Sequence, residues 1–295
     1  MRLSALPAAI LLAALSPSAA AESFHTCAGF IETLPAVITT QGTWCLRRDL
    51  ATSLNSGTAI TVQTNNVTID CNGFKLGGLG GGEDMAEVGI AAYDRRRVTI
   101  RRCTIRGFDV GIDLRDFTLA RGGHLVEDNL LDFQLWAGIM IAGHDSVVRR
   151  NQLLSVGGSQ VDDYSAAIDT RGDVDIVDNL VADQLPARPL WDPDIGDVYA
   201  IRVEDNGHGT VAGNRIRRIG RNATLDSEAW AIRLIGSDNA IVEGNRLANP
   251  DDAPAEEDVG AIHCTDGFAY LRDNIARSFS GPAHGCTDGG DNVGI

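Results

Sequence analysis

Asp169 and Arg171, and Arg202 and Glu204, are two charged pairs with the same internal spacing, each pair two residues apart. Side chains at that spacing share one face of a β-strand. Arg233 and His263 fall in the equivalent slot of the two following stretches of similar sequence. These residue types move protons and hold oxyanions. A carboxyl or imidazole group acts as acid or base, and an arginine fork grips a carboxylate or sugar hydroxyls. Asp169, Arg171, Arg202, Glu204, Arg233 and His263 therefore form the candidate catalytic set. Four aromatic residues stand near them in the chain, Tyr164, Trp191, Tyr199 and Trp230. Such rings suit stacking on sugars, and equally suit packing a loop onto the body. Opposite charges facing outward on neighbouring strands also simply stabilise a sheet, so chemistry does not follow from residue types alone.

What positions these side chains is a repeat. An aliphatic residue, two variable residues, Asn, one more residue and an aliphatic or aromatic one recur around Asn72, Asn129, Asn151, Asn179, Asn214, Asn245 and Asn274. Cys103 takes the Asn slot once, and successive slots lie 22 to 35 residues apart. Each repeat carries three short strand signals. The first is a small residue followed by Ile, from Ala59-Ile60 through Ala167-Ile168 and Ala200-Ile201 to Ala261-Ile262. The second ends before the Asn, as in Val98-Thr99-Ile100, and the third follows it, as in Phe74-Lys75-Leu76. Alternation of apolar and polar residues marks strands, and no helical periodicity is sustained. With each Ile inward, one outward column reads Ala91, Asp113, Met140, Asp169, Arg202, Arg233, His263. The next reads Tyr93, Arg115, Ala142, Arg171, Glu204, Ile235, Thr265.

Three short strands per turn at this period resemble the right-handed parallel β-helix of the pectate-lyase-like superfamily, over about residues 57–290. The resemblance implies an all-β, three-sided solenoid of about eight coils with an inward asparagine ladder. A propeller needs longer, four-stranded units. The expected organisation is a signal peptide over 1–21, an N-terminal cap over 22–58 and the β-helix over 59–295. Trp44, Leu46 and Leu50 are placed to cover the open end of the stack, as terminal repeats require. Insertions at 77–88, 155–166, 183–198, 220–230 and 249–260 fall at one place in the repeat, where solenoids commonly build a binding face.

The apolar run from Leu6 to Leu15, followed by Ala19-Ala20-Ala21, has the form of a cleavable signal and predicts a secreted or periplasmic protein with no membrane span. Six cysteines without a CxxC spacing fit an oxidising compartment. His263-Cys264-Thr265-Asp266-Gly267 recurs as Gly285-Cys286-Thr287-Asp288-Gly289 one coil later, which predicts Cys264–Cys286. Proximity in the chain suggests Cys27–Cys45 and Cys71–Cys103.

A net charge of −15 disfavours nucleic acid and other polyanions unless a local patch of arginine overrides the average. Lys75 is the only lysine, so arginine or histidine would have to serve wherever a cationic group or nitrogen base is needed. Asp192-Pro193-Asp194 resembles the Asp-Pro-His-Asp motif of mannuronan epimerases but lacks its histidine. Gly207-His208-Gly209 resembles the Gly-His-Gly of polygalacturonases without the companion signatures. Asp192, Asp194 and Asp197 have the oxygen spacing of a partial Ca2+ loop, and no other cofactor is suggested. The expected function is binding or processing of a polysaccharide, with uronate-containing polymers in view, along the outward strip of a monomer. The alternative is a non-catalytic envelope or adhesion module.

Overall fold

The computed structural model describes residues 24–82, 85–120, 122–187, 190, 196–206, 208–220, 227–249, 259–279 and 283–294. The expected signal peptide, Trp191, Asp192 and Asp194 lie outside the described residues. The chain winds as a right-handed parallel β-helix with three sheets of eleven, nine and nine strands, every pairing parallel. The only helix among the described residues is one turn of 3-10 helix, Leu79–Gly81. No helix there is long and apolar enough to cross a membrane.

The second sheet runs from strand Ala36–Ile38 to strand Val259–Thr265 and carries the small-Ile pairs. Ile60, Ile90, Ile112, Ile139, Ile168, Ile201, Ile232 and Ile262 stack in register and are fully buried. Burying one such side chain is worth roughly 1.5–3 kcal/mol, so this column anchors the whole face. The preceding alanines, among them Ala167, Ala200 and Ala231, are buried in the same core. Two consecutive residues thus face inward in each coil, which strict alternation does not predict. Beyond that break, alternation resumes, and it sends Asp169, Arg202 and Arg233 outward.

The asparagine column forms the bend between the first and third sheets. Asn129, Asn151, Asn179, Asn214 and Asn245 each donate from Nδ2 to the Oδ1 of the next, at 2.9–3.1 Å, ending on Asn274. Asn274 donates in turn to Asn292, 3.0 Å away, a member that the repeat phrase does not reveal. The residue before each is left-handed, as at Asp128 (φ 56°), Asp178 (φ 57°) and Asp273 (φ 56°), which turns the chain sharply. Aspartate tolerates that conformation better than most side chains.

Asn72 does not belong to the column. Its own φ is 51°, it is half-buried, and its Oδ1 accepts from Arg102 Nη2 at 2.8 Å. One residue earlier, Cys71 bonds covalently to Cys103, so a disulfide stands where the ladder would continue. Cys27–Cys45 and Cys264–Cys286 are also bonded. Residues 29–51 contribute four strands to the same three sheets, so the stretch expected as a cap is itself wound into the stack.

Candidate functional site

Cross-strand register sets Asp113, Met140, Asp169, Arg202, Arg233 and His263 in one column of the second sheet. Arg115, Ala142, Arg171, Glu204, Ile235 and Thr265 form the next. Of the four candidate aromatic residues, the three that are described lie on strands. Tyr164 opens strand Tyr164–Arg171, Tyr199 lies in Asp197–Glu204, and Trp230 lies in Ala229–Ile235.

The densest chemistry surrounds Asp169. Its Oδ2 accepts from the Tyr164 hydroxyl at 2.8 Å and its Oδ1 from Arg202 Nη1 at 3.1 Å. Arg202 also donates from Nη2 to Glu204 Oε1 at 2.7 Å and lies over the Tyr164 ring, 5.1 Å from its centroid. One guanidinium thus holds two carboxylates. The Asp169 side chain is only 8 % exposed. Burial raises its proton affinity above the usual carboxylate range, and the Arg202 charge offsets only part of that rise. Burial and the neighbouring Asp169 charge lift the Tyr164 hydroxyl far above its ordinary value. For Arg202, burial opposes the charged form, but Asp169, Tyr164 and Glu204 outweigh it and hold the guanidinium firmly protonated.

These groups open on a pocket of about 200 Å³ that Arg115, Phe117, Met140 and Arg171 also line. Arg171 reaches Asp205 at 2.8 Å, with both side chains at least half exposed. On the pocket's other flank Asp113, fully buried, accepts twice from Arg115 and once from the Tyr93 hydroxyl. Burial and Asp113 push that hydroxyl up to about 12. Tyr93, Asp113 and Arg115 stand in the outward columns, and they repeat the Tyr164–Asp169–Arg202 arrangement with the arginine on the same strand as its carboxylate.

Arg233 and His263 lie further along the sheet, outside this pocket. The His263 ring packs 4.5 Å from Trp230 and 6.1 Å from His284, centroid to centroid. Burial, then Arg233 and His284, lower the His263 pKa to about 4, so its imidazole is neutral near pH 7. Tyr199 and Trp230 are 7 % and 5 % exposed and pack into the face, leaving little surface for a ligand. Phe117, 69 % exposed at the pocket wall, is the ring with free surface. Nothing in the repeat pattern singles it out, because it follows the end of strand Val110–Arg115. Among the described residues no three His, Cys, Asp or Glu side chains could hold a metal ion. Asp197, the one described residue of the expected Ca2+ loop, accepts from the Tyr199 hydroxyl and the Glu228 main chain.

No family model matches the chain, and no curated protein matches it. Among solved structures it is similar to an alginate lyase from Paenibacillus sp., with 14% identity and a TM-score of 0.50, over 85% of this chain and 86% of that one. It is also similar to a tailspike protein of the E. coli bacteriophage HK620, solved in complex with a pentasaccharide, with 11% identity and a TM-score of 0.47, over 90% of this chain and 56% of that one. The enzymatically active domain of tailspike protein 2 from bacteriophage CBA120 is 12% identical at a TM-score of 0.45, over 88% of this chain and 42% of that one. At these identities the shared property is the β-helix.

Proposed function

We propose that the protein is exported and binds a polysaccharide across the outer face of the second sheet, acting on it at the Asp169 pocket. One fold hosts many functions, so the reading rests on the site. The observation that supports it best is a buried carboxyl with raised proton affinity, held between a tyrosine hydroxyl and an arginine at the floor of an open pocket. A carboxyl tuned upward in this way keeps its proton to higher pH than an ordinary one, as a general acid requires. Arg202 orients it and also binds Glu204 beside it. Arg171 is bound only by an exposed ion pair, worth about 0–1 kcal/mol, so it can exchange Asp205 for a sugar carboxylate or hydroxyls at little cost. Phe117 supplies an apolar wall for a sugar ring. Three disulfides fit an oxidising compartment outside the cytoplasm.

The non-catalytic envelope module remains the second reading, because Arg115, Arg171 and Arg202 are all already neutralised by carboxylates. A glycan array followed by a turnover screen on uronate polymers, read at the absorbance of an unsaturated product and by reducing ends, separates the two. Asp169→Ala and Arg202→Ala are expected to lower turnover at least about a hundredfold, the scale of a lost acid–base group, and Phe117→Ala about tenfold. Glycan binding without turnover would favour the module; neither binding nor turnover by the folded protein would remove the proposal.

A further inference from the structure

We propose that the outer face of the third sheet carries a separate binding site for an acidic polysaccharide, built from Arg215, Arg217, Arg246 and Arg277. The four project from neighbouring parallel strands, Arg215–Ile219, Arg246–Ala248 and Ile275–Arg277. Register sets Arg215 beside Arg246, and sets Ala248 between Arg217 and Arg277. The short Ala248 side chain leaves a basin among the longer arginines. With the exposed Ile275 at its edge, that basin measures about 530 Å³.

Charge pairing distinguishes these arginines from most others on the molecule. Arg101 and Arg102 share Asp70, Arg149 and Arg150 share Glu127, Arg218 pairs with Asp183, and Arg272 pairs with Glu243. Among the described residues, none of the basin's four arginines makes an ion pair or a side-chain hydrogen bond. Like charges directly opposed on adjacent strands, as at Arg215 and Arg246, are unfavourable. An anion laid across them relieves that repulsion. In a chain with a net charge of −15, this is a local reversal of sign.

The surroundings select the kind of anion. A lipid bilayer or a nucleic-acid duplex is broad enough to meet the rest of a chain whose net charge is −15. Single-stranded nucleic acid relies on aromatic stacking, and among the described residues no aromatic side chain lines the basin. A single glycan chain with spaced carboxylates or sulfates touches only the basin, and beyond about 8 Å the remaining acidity is screened at physiological salt. Ala248 and Ile275 offer an apolar floor to a sugar ring between the charges.

The test uses the full mature chain and affinity electrophoresis on polygalacturonate and dextran sulfate, with uncharged dextran, a DNA duplex and phosphatidylglycerol vesicles as comparators. The acidic glycans are expected to bind, to weaken about tenfold between about 50 and about 200 mM salt, and to lose about tenfold or more in affinity with Arg217→Glu/Arg277→Glu. The gentler Arg217→Gln/Arg277→Gln pair repeats the measurement if charge reversal perturbs the melting temperature. Unchanged affinity in a natively melting variant, or tighter binding of DNA or vesicles than of the glycans, overturns the proposal. Arg202→Ala is measured in parallel. A loss confined to Arg202→Ala assigns all binding to the second sheet and removes this site, whereas a loss confined to the arginine pair sustains it even if the groove binds nothing.

Discussion

The Asp169 pocket on the second sheet and the arginine basin on the third present opposite treatments of arginine. On the second, Arg115, Arg171 and Arg202 each meet a carboxylate within 3.1 Å, and Arg202 meets two. On the third, Arg215, Arg217, Arg246 and Arg277 stand exposed over three strands without such partners among the described residues. A neutralised, half-buried arginine is a positioning device: its geometry is fixed and its long-range field is cancelled. An unpaired exposed arginine attracts from a distance but fixes nothing. The first arrangement suits orientation of a reacting group, and the second suits retention of a polymer.

The largest expected effect that separates the faces is on stability. Arg202→Ala leaves Asp169 and Glu204 without their shared cation, and a broken pair this well buried costs about 2–4 kcal/mol. Arg217→Ala on the other face should fall within about 0.5 kcal/mol of the parent. Urea denaturation of both variants measures the gap, and equal costs would erase the contrast.

An intermediate effect concerns pH. His263 binds its proton less readily folded, at about 4, than at its ordinary 6.5. Its contribution to stability is therefore complete above pH 6.5, declines as pH falls, and is gone below about 4. His263→Gln should flatten that part of the stability–pH curve, and a curve unchanged by the substitution would assign the slope to other groups. The smallest difference is in salt response. Any ligand held by the second sheet should weaken less with added salt than one held by the third, because buried charge pairs are screened less; titration of both variants at two salt concentrations compares them.

Much of the site's placement was legible in the sequence because the small-Ile pairs mark register. Once each Ile is inward, Asp169 and Arg202 must be neighbours on the outer face, and their ion pair at 3.1 Å follows from that adjacency. The Cys264–Cys286 bond was legible for the same reason. Asn72 misled because its phrase matches the ladder, while two residues with positive φ, Asn72 and Gly73, lengthen that turn and hand the slot to Cys71. Burial of Asp169 was not legible: it depends on the Tyr164 ring folding over it from the start of the same strand. Nor was the arginine basin. Outward arginines look alike in a sequence, and only the residues one coil above and below decide which are neutralised.

The positions of the three disulfides bear on how such a stack comes apart. A linear array of repeats ordinarily frays from its ends, where a coil has a neighbour on one side only. Here the covalent links lie toward both ends, at Cys27–Cys45 and Cys71–Cys103 on one side and Cys264–Cys286 on the other. Unzipping from either terminus is thereby blocked. The coils between Cys103 and Cys264, which hold the Asp169 pocket and Arg215, Arg217 and Arg246 of the basin, carry no such clamp, so rupture under heat or force should begin around the middle and spread outward.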